Sequence, residues 1–154
     1  MTAWKPYVSV QRDAFDLDAE TLRLTAGRHD VGAVVSFTGF CRDEGGKLAA
    51  LDLEHYPGMA EAEIGRVAGE ASERWPLLGL TIIHRYGVIA PGEPIVLVLA
   101  ASAHRRAAFE AASFMMDYLK TRAPFWKKER RADGTAGDWV AAKQEDDRAV
   151  EKWR

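Results

Sequence analysis

VGAVVSFTGFCRDEGGKLAALDLEHYPG, residues 31–58, carries the reading on which the fold turns. Residues 31–40 are apolar and β-branched, the composition of a strand. Asp43, Glu44, Gly45 and Gly46 then supply turn chemistry, and residues 48–56 follow as a second strand on which Leu51, Leu53 and His55 share one face. Two such runs about a glycine turn predict a hairpin, ended by Pro57 and Gly58.

Outward from that stretch the pattern alternates. Residues 60–75 place Ile64, Val67, Ala68, Ala71 and Trp75 at helical spacing, and Pro76 stops them. Residues 80–86 and 95–101 form two more strands joined through Pro91 and Gly92. The second of these is apolar throughout, as a central strand covered on both faces would be. A further helix is expected over residues 103–121. Upstream lie a short strand at residues 8–10 and a helix at 18–26, with Asp18 as its cap and Gly27 as its stop. Beyond Pro124 a small hairpin, residues 125–130 and 138–142 turned at Asp133 and Gly134, leads into a polar tail. The order hairpin, helix, hairpin, helix predicts an α+β fold with helices packed on a mostly antiparallel sheet. At 154 residues the chain suits a single domain, residues 1–154.

Composition narrows the function classes. A formal net charge of -2 is not that of a nucleic-acid-binding surface, so no nucleic-acid partner is expected. No run approaches the ~18 apolar residues of a membrane span, and no targeting signal is visible. The lone Cys41 rules out an internal disulfide and a four-cysteine zinc site, which fits a reducing, cytoplasmic setting. His29, His55, His84 and His104 show no metal-ligand spacing, so neither metal nor cofactor is expected.

The stretch that points to chemistry is DYLKTRAPFWKKE, residues 117–129. Pro124 cannot continue a helix, so Lys120 falls on the last helical turn and Lys127 on the segment that leaves it, where the chain can fold back and bring the two amines together. From Lys120 to Arg131 there are six cations against one acid, Glu129. That asymmetry suits an anionic ligand, although cations at a helix C-terminus also complement its dipole while remaining solvated. Crowded cations disfavour a charged amine, and the apolar Phe125 and Trp126 act in the same direction, so a neutral lysine could serve as base or nucleophile. A second cluster sits at the start of the same helix, where Ser102 can cap and His104, Arg105 and Arg106 are unfavourable for the dipole unless an anion compensates them. Arg42 ends a strand at the glycine turn. Cys41 beside it reads as a small buried hydrophobe, and His55 and His84 as strand residues satisfying local hydrogen bonds.

FTGFCR (37–42), LEHYPGM (53–59), IHRYG (83–87), SAHR (102–105) and DYLKTRAPFWKKE (117–129), in this order and spacing, resemble the catalytic large-subunit family of molybdopterin synthase over residues 30–143. The resemblance implies an α/β-hammerhead-like fold and a sulfurtransferase that converts cyclic pyranopterin monophosphate to molybdopterin by installing two dithiolene sulfurs. It also implies a small ubiquitin-like sulfur-carrier partner, whose C-terminal Gly-Gly thiocarboxylate threads into the pocket. Carried over by position, Lys120 and Lys127 match the active-site lysines. Arg42, His104, Arg105, Lys128 and Glu129 match substrate-pocket positions, and Phe40 and Cys41 line the pocket. The commoner family pattern has an aliphatic residue where this chain has Cys41, so the thiol is assigned no catalytic part.

Elementary chemistry is consistent with those roles. Arginine suits a phosphate through bidentate bonds and a permanent charge, which assigns Arg42 and Arg105 to binding. His104 could bind or shuttle a proton, and either lysine could be base or nucleophile. His104 and Lys120 are sixteen residues apart on one helix, about 24 Å along its axis, too far for one small pterin phosphate. Either the two clusters serve different ligands, or a homodimer completes each site with the helix start of the other chain; the second is the expectation. A non-enzymatic module that docks a ubiquitin-like protein or phosphorylated ligand is the competing reading, and RNA binding through Phe125, Trp126 and Trp139 a third. Arg130, Arg131 and Lys143 could meet ligand or water.

Overall fold

Residues 95–101 read as a strand apolar on both sides, and the computed structural model, which describes residues 4–43, 45–134, 136–140 and 144–154, places that strand inside the main sheet. In chain order the elements are β1 (Tyr7–Gln11), α1 (Leu17–Thr25), β2 (Ala33–Phe40), β3 (Leu48–His55), α2 (Met59–Arg74), β4 (Leu77–Arg85), β5 (Gly87–Ile89), β6 (Pro94–Ser102), α3 (Arg105–Thr121), β7 (Phe125–Arg131), β8 (Ala136–Val140) and α4 (Gln144–Glu151). They form two four-stranded sheets, ordered β1-β4-β6-β2 and β5-β3-β7-β8. Only β1 and β4 pair in parallel among the described ladders. The α+β class with a mostly antiparallel arrangement and packed helices is therefore what the chain adopts.

Each face of β6 has its own cover, which explains its unbroken apolar run. Val98 and Ala100 join Leu80 and Ile82 beneath α2 and α3, where Ile64, Val67, Ala71, Ala111, Phe114 and Met115 fill the largest core. Leu97 and Leu99 turn the other way and pack with Ile83 against Phe15, Leu24 and Val34. A further core of Cys41, Leu53, Ile89, Ile95 and Val96 ties the second sheet to the end of the first, with Met116 and Leu119 of α3 packed against it. Met116 and Leu119 also touch the main core, so the C-terminal end of α3 is wedged between the two.

The hairpin expected from residues 31–58 does not form, since β2 and β3 lie in different sheets. The β2 strand instead pairs antiparallel with β6, from Ala33 opposite Ser102 to Phe40 opposite Pro94, while β3 pairs with β5 and β7. Beyond β2 the chain stays tied to the β6 side, because the Cys41 N–H donates to the Glu93 carbonyl (2.8 Å) and the Gly92 N–H to the Cys41 carbonyl (2.8 Å). Gly45 and Gly46, both at positive φ, then carry it across to the second sheet rather than back onto β2. The later pairs behave as expected: β4 and β6 are antiparallel neighbours, and β7 with β8 forms the small C-terminal hairpin. Residues 141–142, expected to complete that hairpin, lie outside the described residues.

Three local expectations are also corrected. Asp16, not Asp18, caps α1, its carboxylate accepting the Ala19 N–H at 3.1 Å. His104 rather than Ser102 occupies the N-cap position of α3; Ser102 remains in β6, donating to the Pro76 carbonyl (2.9 Å) and accepting the His104 N–H (3.4 Å). The polar tail contains α4, because Val150 is buried and Trp153 packs edge-on against Trp75 and Phe114 while donating to Asp117 at 2.6 Å. Among the described residues no helix is long and apolar enough to cross a membrane.

The entry to α3 is held by close backbone contact. The Gly32 N–H donates to the Ser102 carbonyl at 3.0 Å, and a Cβ at Gly32 would collide with the Ala103 carbonyl oxygen. Because backbone cannot swing aside as a side chain can, Gly32→Ala is expected to lower unfolding free energy by about 1–3 kcal/mol. Urea denaturation checks this, and an unchanged midpoint would contradict the packing described.

Candidate active site

Lys120 lies in the last turn of α3, whose end is closed by the Arg122 N–H to the Tyr118 carbonyl at 2.7 Å. Pro124 allows no further turn, and β7 begins at Phe125, so the two lysines reach the site from a helix end and a strand as the proline predicts. Strand pairing decides which way the strand residues point. Phe125 lies opposite His55, Lys127 opposite Leu53 and Glu129 opposite Leu51, which puts these three on the inner face of the second sheet. Trp126, Lys128 and Arg130 therefore occupy the outer face, with Glu54 and Asp52. Trp126 meets Tyr56 edge-on at 4.7 Å there, and Arg130 pairs with Asp52 at 3.2 Å.

At the centre of the inner face is an aromatic stack. The Phe125 ring lies flat against His84 of β4, with centroids 3.7 Å apart and planes 15° from parallel. On β3, His55 follows at 5.9 Å from Phe125 and leans on Tyr86 at 4.4 Å, and Arg12 covers Tyr86 at 5.0 Å. The His84 Nδ1 is 2.8 Å from the Arg85 carbonyl oxygen. Burial pushes the His84 imidazole down to about 4; the Arg85 carbonyl opposes that shift, and the charges of Lys127 and Lys120 add to it. Both lysines therefore lie close enough for their charges to act on one buried ring, Lys120 from the end of α3 and Lys127 from the inner face of β7.

Cys41 also borders this cluster. It is 2% exposed within the core that contains Leu53, and burial raises its thiol above the usual range, partly opposed by the nearby Lys127 charge. A thiol so held stays protonated near neutral pH and is a weak nucleophile. Phe40 ends β2 with 58% of its surface exposed, and Arg42 is exposed just beyond Cys41. Phe40, Cys41 and Arg42 are therefore contiguous at the lysine end of the molecule.

His104 and Arg105 are not brought there within the chain. They are exposed at the opposite end of α3, a 17-residue helix about 25 Å long. Lys128 neighbours Lys127 in sequence but projects from the other face of β7, while Glu129 shares the inner face with Lys127. Arg130 is engaged with Asp52, Arg131 is exposed, and Lys143 lies outside the described residues.

Two cavities open beside His55, and neither is lined by Lys120, Lys127, Phe40, Cys41 or Arg42. One of about 710 Å³ is lined by Arg12, Asp52, His55, Glu61, Tyr86 and Arg130 among others, and one of about 510 Å³ by Glu54, His55, Tyr56 and Trp126. His55 borders both, and together they offer room for a small charged ligand or an extended peptide tail. His55, His84, Tyr86 and Arg12 were not selected from sequence. The usable signal was the shared face of Leu51, Leu53 and His55, which identifies His55 as inward-pointing. For His84 no local signal exists, because its ring partner is on β7. Among the described residues no group of three or more His, Cys, Asp or Glu side chains is arranged to hold a metal.

The geometry finds close counterparts in known proteins. The MoaE protein family matches residues 10–122. The molybdopterin synthase catalytic subunit of Mesorhizobium japonicum is 69% identical over 149 residues, covering 97% of this chain and 94% of the relative. A solved molybdopterin biosynthesis MoaE protein from Burkholderia ambifaria superposes with a TM-score of 0.82 at 44% identity, covering 96% of this chain and 97% of that one. A Helicobacter pylori complex of subunits 1 and 2 of molybdopterin-converting factor shares the fold, with a TM-score of 0.71 at 20% identity over 89% of this chain and 90% of that one.

The buried His84 has a consequence for stability. An imidazole that ionises near 6.5 when unfolded but near 4 when folded lets the unfolded state bind the extra proton between those values, so stability falls as pH drops through that window. For this group the loss is roughly 2 kcal/mol between about pH 7 and about pH 5. Urea unfolding at the two pH values should show that component in the wild-type chain and lack it in His84→Phe, which retains a ring against Phe125. Equal pH dependence in both would contradict the assignment.

Proposed function

The chain belongs to the MoaE protein family, and from that premise we propose how its lysine end performs the family's chemistry. Its activity is that of its relatives, the catalytic part of molybdopterin synthase, an enzyme of molybdenum cofactor biosynthesis that transfers sulfur. The proposal concerns substrate, sulfur source and residue roles. Cyclic pyranopterin monophosphate is the acceptor. Two sulfurs come one at a time from the C-terminal thiocarboxylates of two successive copies of a small ubiquitin-like subunit, and each transfer leaves its donor as a carboxylate once water has taken the place of sulfur. The chemistry takes place in the cytoplasm.

The observation that supports this reading is the placement of Lys120 on the last turn of α3 and of Lys127 on the inner face of β7, both near enough for their charges to act on the buried His84 ring. Ring opening of a cyclic phosphate and addition of sulfur both need proton transfers beside an anion, which a positioned lysine amine can provide while the other neutralises charge. Either lysine is base or nucleophile toward the partner's terminal carbonyl. Arg42 holds the phosphate at the same end, Phe40 and Cys41 line the pocket, and Glu129 completes it from the inner face of β7, while Lys128 meets the partner or ligand from the outer face. His104 and Arg105 serve a lysine pair other than their own, because α3 separates them from Lys120 by about 24 Å. The protein accordingly acts as a homodimer with sites shared across the interface, and each copy takes one small subunit. The outer position of β2 in its sheet, with Phe37 and Phe40 exposed, suits that association.

Charge-preserving substitution tests the lysine roles. Arginine retains the cation but cannot supply a neutral amine at neutral pH. With thiocarboxylated partner and pterin precursor supplied, Lys120→Arg and Lys127→Arg are each expected to slow dithiolene formation by at least about 100-fold, while partner affinity changes less than about threefold. Product at the wild-type rate in both variants would reduce the lysines to anion ligands and overturn the mechanism.

A further inference from the structure

His84 is left without a task by the roles above, yet the lysines are arranged around it. We propose that His84 is a positioning residue for the sulfur-transfer site, its fixed neutral ring presenting Nε2 as a hydrogen-bond acceptor that orients the Lys127 amine. The inference rests on the reading of Lys127 as an active-site amine.

The tautomer follows from one contact. A carbonyl oxygen can only accept, so the 2.8 Å approach of Nδ1 to the Arg85 carbonyl puts the ring proton on Nδ1 and leaves the lone pair on Nε2. Phe125 then fixes the plane of the ring, since a stack at 3.7 Å and 15° leaves no room for it to turn over. Nε2 is therefore the acceptor of a ring whose plane is fixed.

Register brings the lysine to it. Phe125 and Lys127 are two residues apart on the same face of β7, about 7 Å along the strand, a span that a four-carbon lysine stem readily covers. Lys120 approaches from α3, and its charge acts on the same ring. Among the described residues, the two ionisable side chains nearest in sequence and in the stack are engaged elsewhere. His55 on β3 has its Nε2 4.0 Å from Glu61 of α2, and the Arg85 guanidinium is engaged by the Arg12 carbonyl, Glu93 and the Pro94 carbonyl.

The sequence context also argues against a purely structural ring. His84 follows Leu80, Ile82 and Ile83 in a strand buried at every position from Gly79 to Arg85, where an apolar side chain would stack on Phe125 without the cost of burying an imidazole. Burial and the two lysine charges keep the ring uncharged at neutral pH. It consequently directs the lysine proton without carrying that proton away, which distinguishes it from a general acid or base.

Two amides separate the two ring nitrogens. His84→Asn places an amide near the Nδ1 position and keeps the Arg85 contact, whereas His84→Gln reaches the Nε2 position. With wild-type chain, thiocarboxylated partner and pterin precursor as reference, His84→Asn is expected to lower kcat at least about tenfold with KM and partner affinity within about threefold, and His84→Gln to recover most of kcat. Nitrogen NMR of the wild-type ring should show a lone-pair Nε2 and a protonated Nδ1, a readout that does not depend on either variant folding. Unchanged kcat in a folded His84→Asn, or a protonated Nε2 at neutral pH, overturns the inference alone. A wild-type chain that yields no product overturns the functional reading and this one with it.

Discussion

The length of α3 is the constraint on which the rest depends. Seventeen residues in a continuous helix hold Arg105 at one end and Lys120 near the other, and no rotamer change closes about 22 Å between backbones. The helix cannot slide to compensate, because Ala107, Ala111, Phe114 and Met115 are buried in the main core and Met116 and Leu119 are packed into two cores at once. A kink would have to break that packing. Cation placement is thus a consequence of core packing, and every functional statement about His104, Arg105, Lys120 and Lys127 inherits it.

The lysine end lies where the two sheets meet, and that location explains its electrostatics. The inner face of β7 looks onto β4 through the Phe125–His84 stack, so the ring between the sheets is shielded from water while the lysines around it remain within reach of ligand. An imidazole in that position pays in solvation and stays neutral; two ammonium groups nearby reinforce this. Cys41 shows the same burial effect with the opposite sign, since its charged form is the anion. Two groups that often take part in sulfur or proton chemistry are therefore held in their uncharged forms beside the lysines.

Much of this was legible in the sequence where the determining interaction is local. The apolar run that became β6, the spacing of α2 and α3, the stop at Pro124 and the β7–β8 turn at Asp133 and Gly134 all follow from residues within one or two turns of one another. The first strand pair was not legible, because the choice between β3 and β6 as partner of β2 depends on a ladder to Ser102, far along the chain. His84 was passed over for the same reason: what makes it unusual is a ring forty-one residues away. Lys128 is a different case. Period-two alternation already separates it from Lys127, and counting charge along the stretch concealed a difference in facing. In α4 the acidic residues masked Val150 and Trp153, the two side chains that anchor it.

Complementation between chains addresses the central claim most directly, that a complete site requires opposite ends of α3 from two copies. Arg105→Ala and Lys120→Ala chains, each inactive alone, are unfolded together, refolded as a mixture and assayed for dithiolene product with thiocarboxylated partner. The account predicts recovery of roughly a quarter of wild-type activity, since random pairing makes half the dimers mixed and restores one site in each. Activity no greater than the average of the two separate variants would contradict it.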